Sequence, residues 1–334
     1  MPNRLSVTKR LPHRPVRPRR RAVTRVLVLG DLTLDVVLSP VRPLASATDV
    51  PGTVRLRQGG SAATTARWLA RLGVSTQLIC AVGRDGPGRA LVEALRADGV
   101  IVRASRVAGV PTGRIGVVVS PDGERAFVAD RGAADRLAPA DLKPAWFARA
   151  DLLHLPIYSL IGEPLGTTGQ AAIRLARAAH AAVSLDLASV GPMLAGGRAA
   201  ARDLVQSIAP EILLATATEL AALLDASERT ILDGRALAPQ LAPVVVVKRG
   251  ASGASVHVLD QTGAAISFEV ATRPLPPSDS TGAGDAFDAG FLAAYAEARG
   301  TSRPTAAALR RAVLAGHRTA ARQLSGPRPE LDLR

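Results

Sequence analysis

Short apolar runs alternate with helix-periodic stretches along most of this chain, and that order limits its possible folds more than any other feature. Arg25–Gly30, Thr76–Val82, Asp151–Leu155, Ala182–Leu187, Glu211–Leu214 and Val244–Lys248 read as strands. Ser61–Leu72, Arg89–Asp98, Gly169–Ala181, Glu219–Leu224, Asp285–Arg299 and Thr305–Gln323 read as helices. This alternation predicts an α/β fold: a doubly wound, largely parallel sheet with helices on both faces. Ligands of such sheets sit at the carboxyl ends of strands. Gly30-Asp31, Asp186 and Lys248-Arg249-Gly250 fall at those ends.

Two segments interrupt the alternation. Leu32–Arg57 is a set of strand-like pieces broken by prolines, and Arg114–Asp130 reads as a hairpin around Pro121-Asp122-Gly123. Neither fits inside a parallel sheet. The 334 residues suffice for one large α/β domain, here expected over 22–334. Cys80 is the single cysteine, which excludes an intrachain disulfide and a cysteine zinc site and suits a reducing cytoplasm. No uncharged apolar run is long enough to span a membrane. Val26–Gly30, after the arginine-rich start, is too short for the core of a signal peptide.

The formal charge of +14 is unevenly placed, because residues 1–25 carry nine basic side chains and no acid. Residues 1–21, with Pro12, Pro15 and Pro18 and no amphipathic period, read as a disordered basic arm. Few phenylalanines and tryptophans are present to stack on bases, which argues against a nucleic-acid surface. The five histidines show no ligand spacing. His154, at a strand end, reads either as substrate-facing or as a hydrogen-bonded structural residue.

The chemistry concentrates in Asp279-Ser280-Thr281-Gly282-Ala283-Gly284-Asp285-Ala286-Phe287. Phe287, Phe291 and Tyr295 recur at a spacing of four, so the glycine-rich turn opens a helix. Free amides at Ala283, Gly284 and Asp285, with the positive end of the helix dipole, make an anion site. Glycine permits the close approach of an anion to backbone. A carboxylate does not bind a phosphate, so Asp285 reads as a general base beside a transferring phosphoryl group. A bare turn of this kind also fits a helix start with no ligand. No P-loop is present, and no glycine fingerprint follows the first strand. Arg131, just beyond the hairpin, is a candidate contact for substrate or a phosphate, and also fits a plain surface arginine.

D-S-T-G-A-G-D-A-F closely resembles the C-terminal signature of the PfkB, or ribokinase-like, carbohydrate and nucleoside kinases. Gln58-Gly59-Gly60-Ser61-Ala62-Ala63-Thr64-Thr65-Ala66, continuing to Leu72-Gly73, resembles the N-terminal one. The two motifs stand in the family's order, and the resemblance covers about residues 22–326. It implies that Leu32–Arg57 and Arg114–Asp130 form a small β lid over a sugar site. It implies that Gly59 and Gly60 let the acceptor alcohol pack against backbone, and that Asp35 accepts hydrogen bonds from its hydroxyls, with Thr64 and Arg131 nearby. Lys248, Gly250 and Gly253 resemble the family's nucleotide loop, with Thr281 on the same side. Thr216-Ala217-Thr218-Glu219 aligns with the family's N-x-x-E element, so Glu219 is the expected indirect Mg²⁺ contact, through water. Thr64 and Thr216 stand where the family usually has Asn.

The expected activity is transfer of the γ-phosphoryl group of ATP to a hydroxyl of a small sugar or related polyol, with Mg²⁺ balancing phosphate charge. A nucleoside kinase shares every motif. A catalytically weak sugar-binding homologue is the reading that Thr64 and Thr216 favour. Homodimerisation through the lid and a monovalent cation behind the anion site are left open by the sequence.

Overall fold

The computed structural model describes residues 24–122, 124–233, 241–259, 263–275, 279–298, 304–326 and 329–333. The basic arm expected over residues 1–21, Gly123 of the expected hairpin turn and Arg299 at the expected helix end lie outside them.

The main sheet has nine strands. Its parallel part runs β11 (Val244–Lys248), β10 (Ile212–Thr216), β9 (Ala182–Asp186), β8 (Leu152–Pro156), β1 (Arg25–Leu29), β4 (Ser75–Gly83) and β5 (Ile101–Val107). Two antiparallel strands, β12 (Ala254–Leu259) and β13 (Ala265–Val270), extend the edge beyond β11. Val244 to Val247, all buried, show why the centre is parallel: a strand covered on both faces is apolar at every position.

Two hydrophobic cores lie on opposite faces of this sheet. On one, α1 (Ser61–Arg71), α2 (Gly86–Ala97), α8 (Ala283–Ala298) and α9 (Ala306–Ser325) pack through Leu69, Leu91, Phe291 and Leu309. On the other, α3 (Leu165–Ala178), α5 (Arg198–Ile208) and α6 (Ala217–Leu224) pack through Ile173, Val205 and Leu220. The short α4 (Val190–Leu194) and α7 (Glu228–Asp233) adjoin this second layer. This is the doubly wound arrangement expected from the alternation.

The two interrupting segments form a separate four-stranded sheet, ordered β3 (Gly52–Gly59), β2 (Thr33–Pro40), β6 (Arg114–Val119) and β7 (Arg125–Asp130). β6 and β7 make the expected hairpin, whereas β2 and β6 are parallel neighbours. One end of this sheet is fixed to the main body, because β3 runs through Gly60 directly into α1. Its other edge, β7, is mostly exposed, and Arg125 at its start bonds to Ser280 and Thr281 of the main body.

Candidate active site

At the carboxyl ends of β1, β9, β10 and β11 the chain leaves the sheet at Gly30-Asp31, Asp186, Thr216 and Lys248. These ends, the lid and the start of α8 enclose a cleft of about 1090 Å³. The candidate residues named from the sequence border it, from Asp35, Gly59, Gly60, Thr64 and Arg131 on the lid side to Gly250 and Gly253 on the far side; His154 does not.

Gly282 has φ 76, a conformation favouring glycine, and it turns the chain into α8. The turn folds the amide of Ala283 back onto the Ser280 carbonyl at 3.2 Å. Of the three amides expected to face an anion, those of Gly284 and Asp285 are left as first-turn donors with no acceptor among the described residues. Gly284 is exposed to the cleft. The turn is braced from α9: Gln323 donates to the Thr281 carbonyl at 2.8 Å, and Trp68 of α1 donates to Gln323 at 2.9 Å.

Asp285 sits in the first turn of α8 and accepts a 2.6 Å hydrogen bond from the Ser61 hydroxyl. Burial pushes its carboxyl up to about 7; the Ser61 bond and Lys248 oppose that shift, while Asp186 and Asp31 add to it. A base that titrates near neutral pH both holds and releases a proton there. The two signatures thus meet directly, the serine after Gly59-Gly60 on the aspartate of G-A-G-D.

Asp31 and Asp35, adjacent in sequence reading, separate in space. Asp31 accepts from the Ala62 amide at 3.1 Å and so serves the start of α1. Asp35, on β2, lies against Gly59: a Cβ there would fall 1.7 Å from its Oδ1. Gly60 has φ 94, and a Cβ on it would lie 2.4 Å from the Asp31 carbonyl oxygen. Glycine at both positions is a spatial requirement of this corner.

Arg131 is no plain surface residue. Its Nε donates to Asp135 at 2.6 Å, Nη1 reaches Asp31 at 3.5 Å, and the guanidinium stacks over Tyr158 at 4.8 Å. Burial would lower its pKa, but Asp31 and Asp135 outweigh burial and raise it.

Lys248 points into the protein. Its Nζ meets Asp186 at 2.8 Å and Asp288 at 3.1 Å, behind the anion turn. Burial would favour the neutral amine, but Asp186, Asp288 and Glu219 outweigh it and keep the lysine charged. Arg249 likewise pairs with Glu269 at 2.7 Å. Thr216 and Glu219 cap α6 reciprocally: the Thr216 amide donates to Glu219 at 2.8 Å and the Glu219 amide to the Thr216 hydroxyl at 3.2 Å. A threonine hydroxyl is a full capping group, so the local fold tolerates it at this position.

Four contributors escaped sequence reasoning. Ser61 had a signal, its place after Gly59-Gly60, and Asp288 had one in its spacing of three from Asp285. Arg57, bonded to Asp279 at 3.2 Å, and Arg125, bonded to Ser280 at 2.6 Å and Thr281 at 2.9 Å, had none. Their partners lie more than 150 residues away.

The model of the pfkB family carbohydrate kinases matches residues 23–329. The ATP-dependent ribose-1-phosphate kinase of Halopiger xanaduensis is 32% identical over 281 residues, 82% of this chain and 85% of that protein. Fructokinase-1 of Zea mays is 31% identical over 80% of this chain and 81% of its own. The crystal structure of adenosine kinase from Sinorhizobium meliloti superposes with a TM-score of 0.78 over 93% of this chain and 98% of that one, at 24% identity.

Proposed function

Since the chain belongs to the pfkB family of carbohydrate kinases and is an ATP-dependent phosphotransferase with an alcohol group as acceptor, we propose the following division of labour among its residues. The amides of Gly284 and Asp285 hold the γ-phosphoryl group at the start of α8. Asp285 takes the proton of the acceptor hydroxyl. The pairing of Asp285, raised to about 7, with the Gly284 and Asp285 amides, which meet no acceptor among the described residues, carries this reading. Asp35, at the lid root, accepts from hydroxyls of a small sugar or polyol. Gly250 and Gly253 let adenine and ribose approach the chain after β11, with Thr281 on the same side. Lys248 supports the turn from behind by holding Asp288, and does not touch phosphate.

No three acidic or histidine side chains converge on a metal position among the described residues. That donor set fits an ion such as Mg²⁺, which rides on phosphates and keeps its waters; Glu219, at the cleft wall, would reach it through one. The ion would neutralise charge on the phosphates.

A nucleoside acceptor is the second reading. Phe127 of the lid and Tyr158 beneath Arg131 both border the cleft and offer faces to a base. ADP release measured across ribose, fructose, ribose 1-phosphate, 2-keto-3-deoxygluconate and adenosine separates the two. Adenosine turned over a hundredfold more efficiently than every sugar would replace the first reading with the second. Asp285→Asn should lower phosphoryl transfer by about 10²–10⁴-fold and leave ATP binding intact; a variant within threefold of wild type would remove the base assignment.

Val54 and Val128 are exposed on the lid and do not border the cleft. A second copy covering them would make a lid-to-lid homodimer, which sedimentation velocity measures. Among the described residues no helix is long and apolar enough to cross a membrane.

A further inference from the structure

Charge is unevenly divided along the cleft. Three arginines border it on the side of the glycine turn and the loop after β11. Arg125 donates to the Ser280 and Thr281 hydroxyls, Arg322 lies on α9 beside the Gln323 that braces Thr281, and Arg273 follows β13, whose last residue, Val270, lies against Gly253. ATP is assigned to that side, so its positive field matches its ligand.

The acceptor end has the opposite balance. Ser61 and Ala62, the first residues of α1, gather two carboxylates: the Ser61 hydroxyl donates to Asp285 at 2.6 Å and the Ala62 amide to Asp31 at 3.1 Å. Two arginines reach this end, and both are engaged. Arg57, opposite Asp35 in the register of β2 and β3, turns to Asp279 at 3.2 Å. Arg131 lies between Asp135 at 2.6 Å and Asp31 at 3.5 Å, so one positive charge faces two negative ones. Its guanidinium also lies over the Tyr158 ring, and its Nη2 is buried, closed to a ligand from the cleft. Neighbouring groups feel the negative field. Burial raises the pKa of both Asp285 and Tyr158, and Asp31 adds to the rise in each.

We propose that this end selects an uncharged acceptor, and that Asp31, Arg131 and Asp135 together determine that specificity by turning away sugar acids and phosphosugars. The proposal rests on the phosphotransferase reading above and names the charge of its acceptor. A phosphate or carboxylate on the acceptor would compete with two carboxylates for a single guanidinium. Like charges brought together at an interface suppress wrong partners strongly. The hydroxyls of an uncharged acceptor meet the reverse situation, because carboxylates accept their hydrogen bonds.

The test compares pairs that share a primary hydroxyl and differ by one phosphate: ribose with ribose 1-phosphate, fructose with fructose 1-phosphate, and adenosine with adenosine 3′-phosphate. ADP release at saturating ATP–Mg²⁺ gives kcat/KM for each. In the pair that wild type uses best, the uncharged member should lead by about 100-fold. Asp135→Asn removes one carboxylate and keeps the size of the side chain, and the ratio should narrow by about fivefold. Raising the salt with tetramethylammonium chloride from about 20 mM to about 0.5 M should narrow the wild-type ratio too, because Asp135 is partly exposed and its field is screened. Exclusion by shape would respond to neither change. If Asp135→Asn melts well below wild type, the salt series on wild type decides alone. A phosphorylated member turned over within tenfold of its partner would overturn the proposal, as would a ratio that neither the substitution nor salt alters. Wild type inactive with all six compounds would instead overturn the phosphotransfer roles assigned above.

Discussion

The proton affinity of Asp285 is set by a few atoms. Burial pushes the carboxyl up to about 7, and the Ser61 hydroxyl, 2.6 Å away, pulls it back. In the role proposed for Asp285, transfer needs the ionised carboxylate, so the acid limb of kcat/KM should rise through a midpoint near that value. Ser61→Ala removes a bond that favours the charged form. The folded pKa then increases and the limb should move to higher pH, with the plateau retained. A pH–rate profile measures this; a limb that stays in place or moves down would mean that another group controls it. Asp285 was legible in the sequence because its spacing from the glycines is local. Ser61 as its partner was not, because the contact closes a gap of 224 residues and only the fold supplies it.

At the scale of elements, the anion turn depends on how closely α8 and α9 approach. Gly290 and Gly316 make that approach possible: a Cβ on Gly290 would lie 2.4 Å from Thr319 Oγ1, and one on Gly316 2.8 Å from the Phe287 ring. Phe287 is two residues from Asp285 and nearly fully buried, with no free direction in which to yield. Gly316→Ala should destabilise the protein by about 1–3 kcal/mol, the usual range for overpacking. It should also raise the KM for ATP by displacing the start of α8. Urea denaturation and steady-state kinetics check the two parts, and unchanged stability would show that the helices can separate freely. The helical periods of α1 and α9 were readable because each buries an apolar stripe, and that of α8, buried at every position from Ala286 to Leu292, because Phe287, Phe291 and Tyr295 recur at a spacing of four. Strand β5 was not, because Ile101-Val102-Arg103-Ala104-Ser105-Arg106-Val107 lies at a sheet edge and carries two arginines. Helix α5 was missed although Ala201, Val205 and Ile208 bury one face at helical spacing; its start carries little signal, because Gly197 ahead of it makes no side-chain cap and Arg198-Ala199-Ala200 is not apolar-periodic. The antiparallel pair β12–β13 lay outside the βα rhythm on which the parallel sheet was read.

The whole molecule is organised around a sheet buried on both faces, and that burial governs its response to acid. His154 sits within β8, between Val28 of β1 and Ser184 of β9, and shares its face of the sheet with Leu152. Its Nδ1 lies 3.2 Å from the Ser184 hydroxyl, and Nε2 has no hydrogen-bond partner among the described residues. The structural alternative from the sequence fits this position, since the ring is fully buried and does not border the cleft. Burial lowers its pKa to about 4, with Asp186 and Lys248 exerting opposing smaller effects. In the unfolded chain the same ring titrates near 6.5. Between those values the unfolded state takes up a proton that the folded state refuses, so folding stability falls as pH decreases from 6.5 towards 4. The part due to this one ring amounts to about 3 kcal/mol at the lower end. His154→Asn retains a hydrogen-bonding side chain facing Ser184 and does not titrate. At neutral pH it should be less stable than wild type, because a buried ring is replaced by a smaller polar group. As pH falls the wild type loses the histidine contribution and the variant has none to lose, so the gap between them should close. Urea denaturation of both proteins at pH 7, 5.5 and 4.5 measures that gap, in which titrations shared by the two proteins cancel. A gap that stays constant across the series would show that His154 binds its proton equally in the folded and unfolded chains.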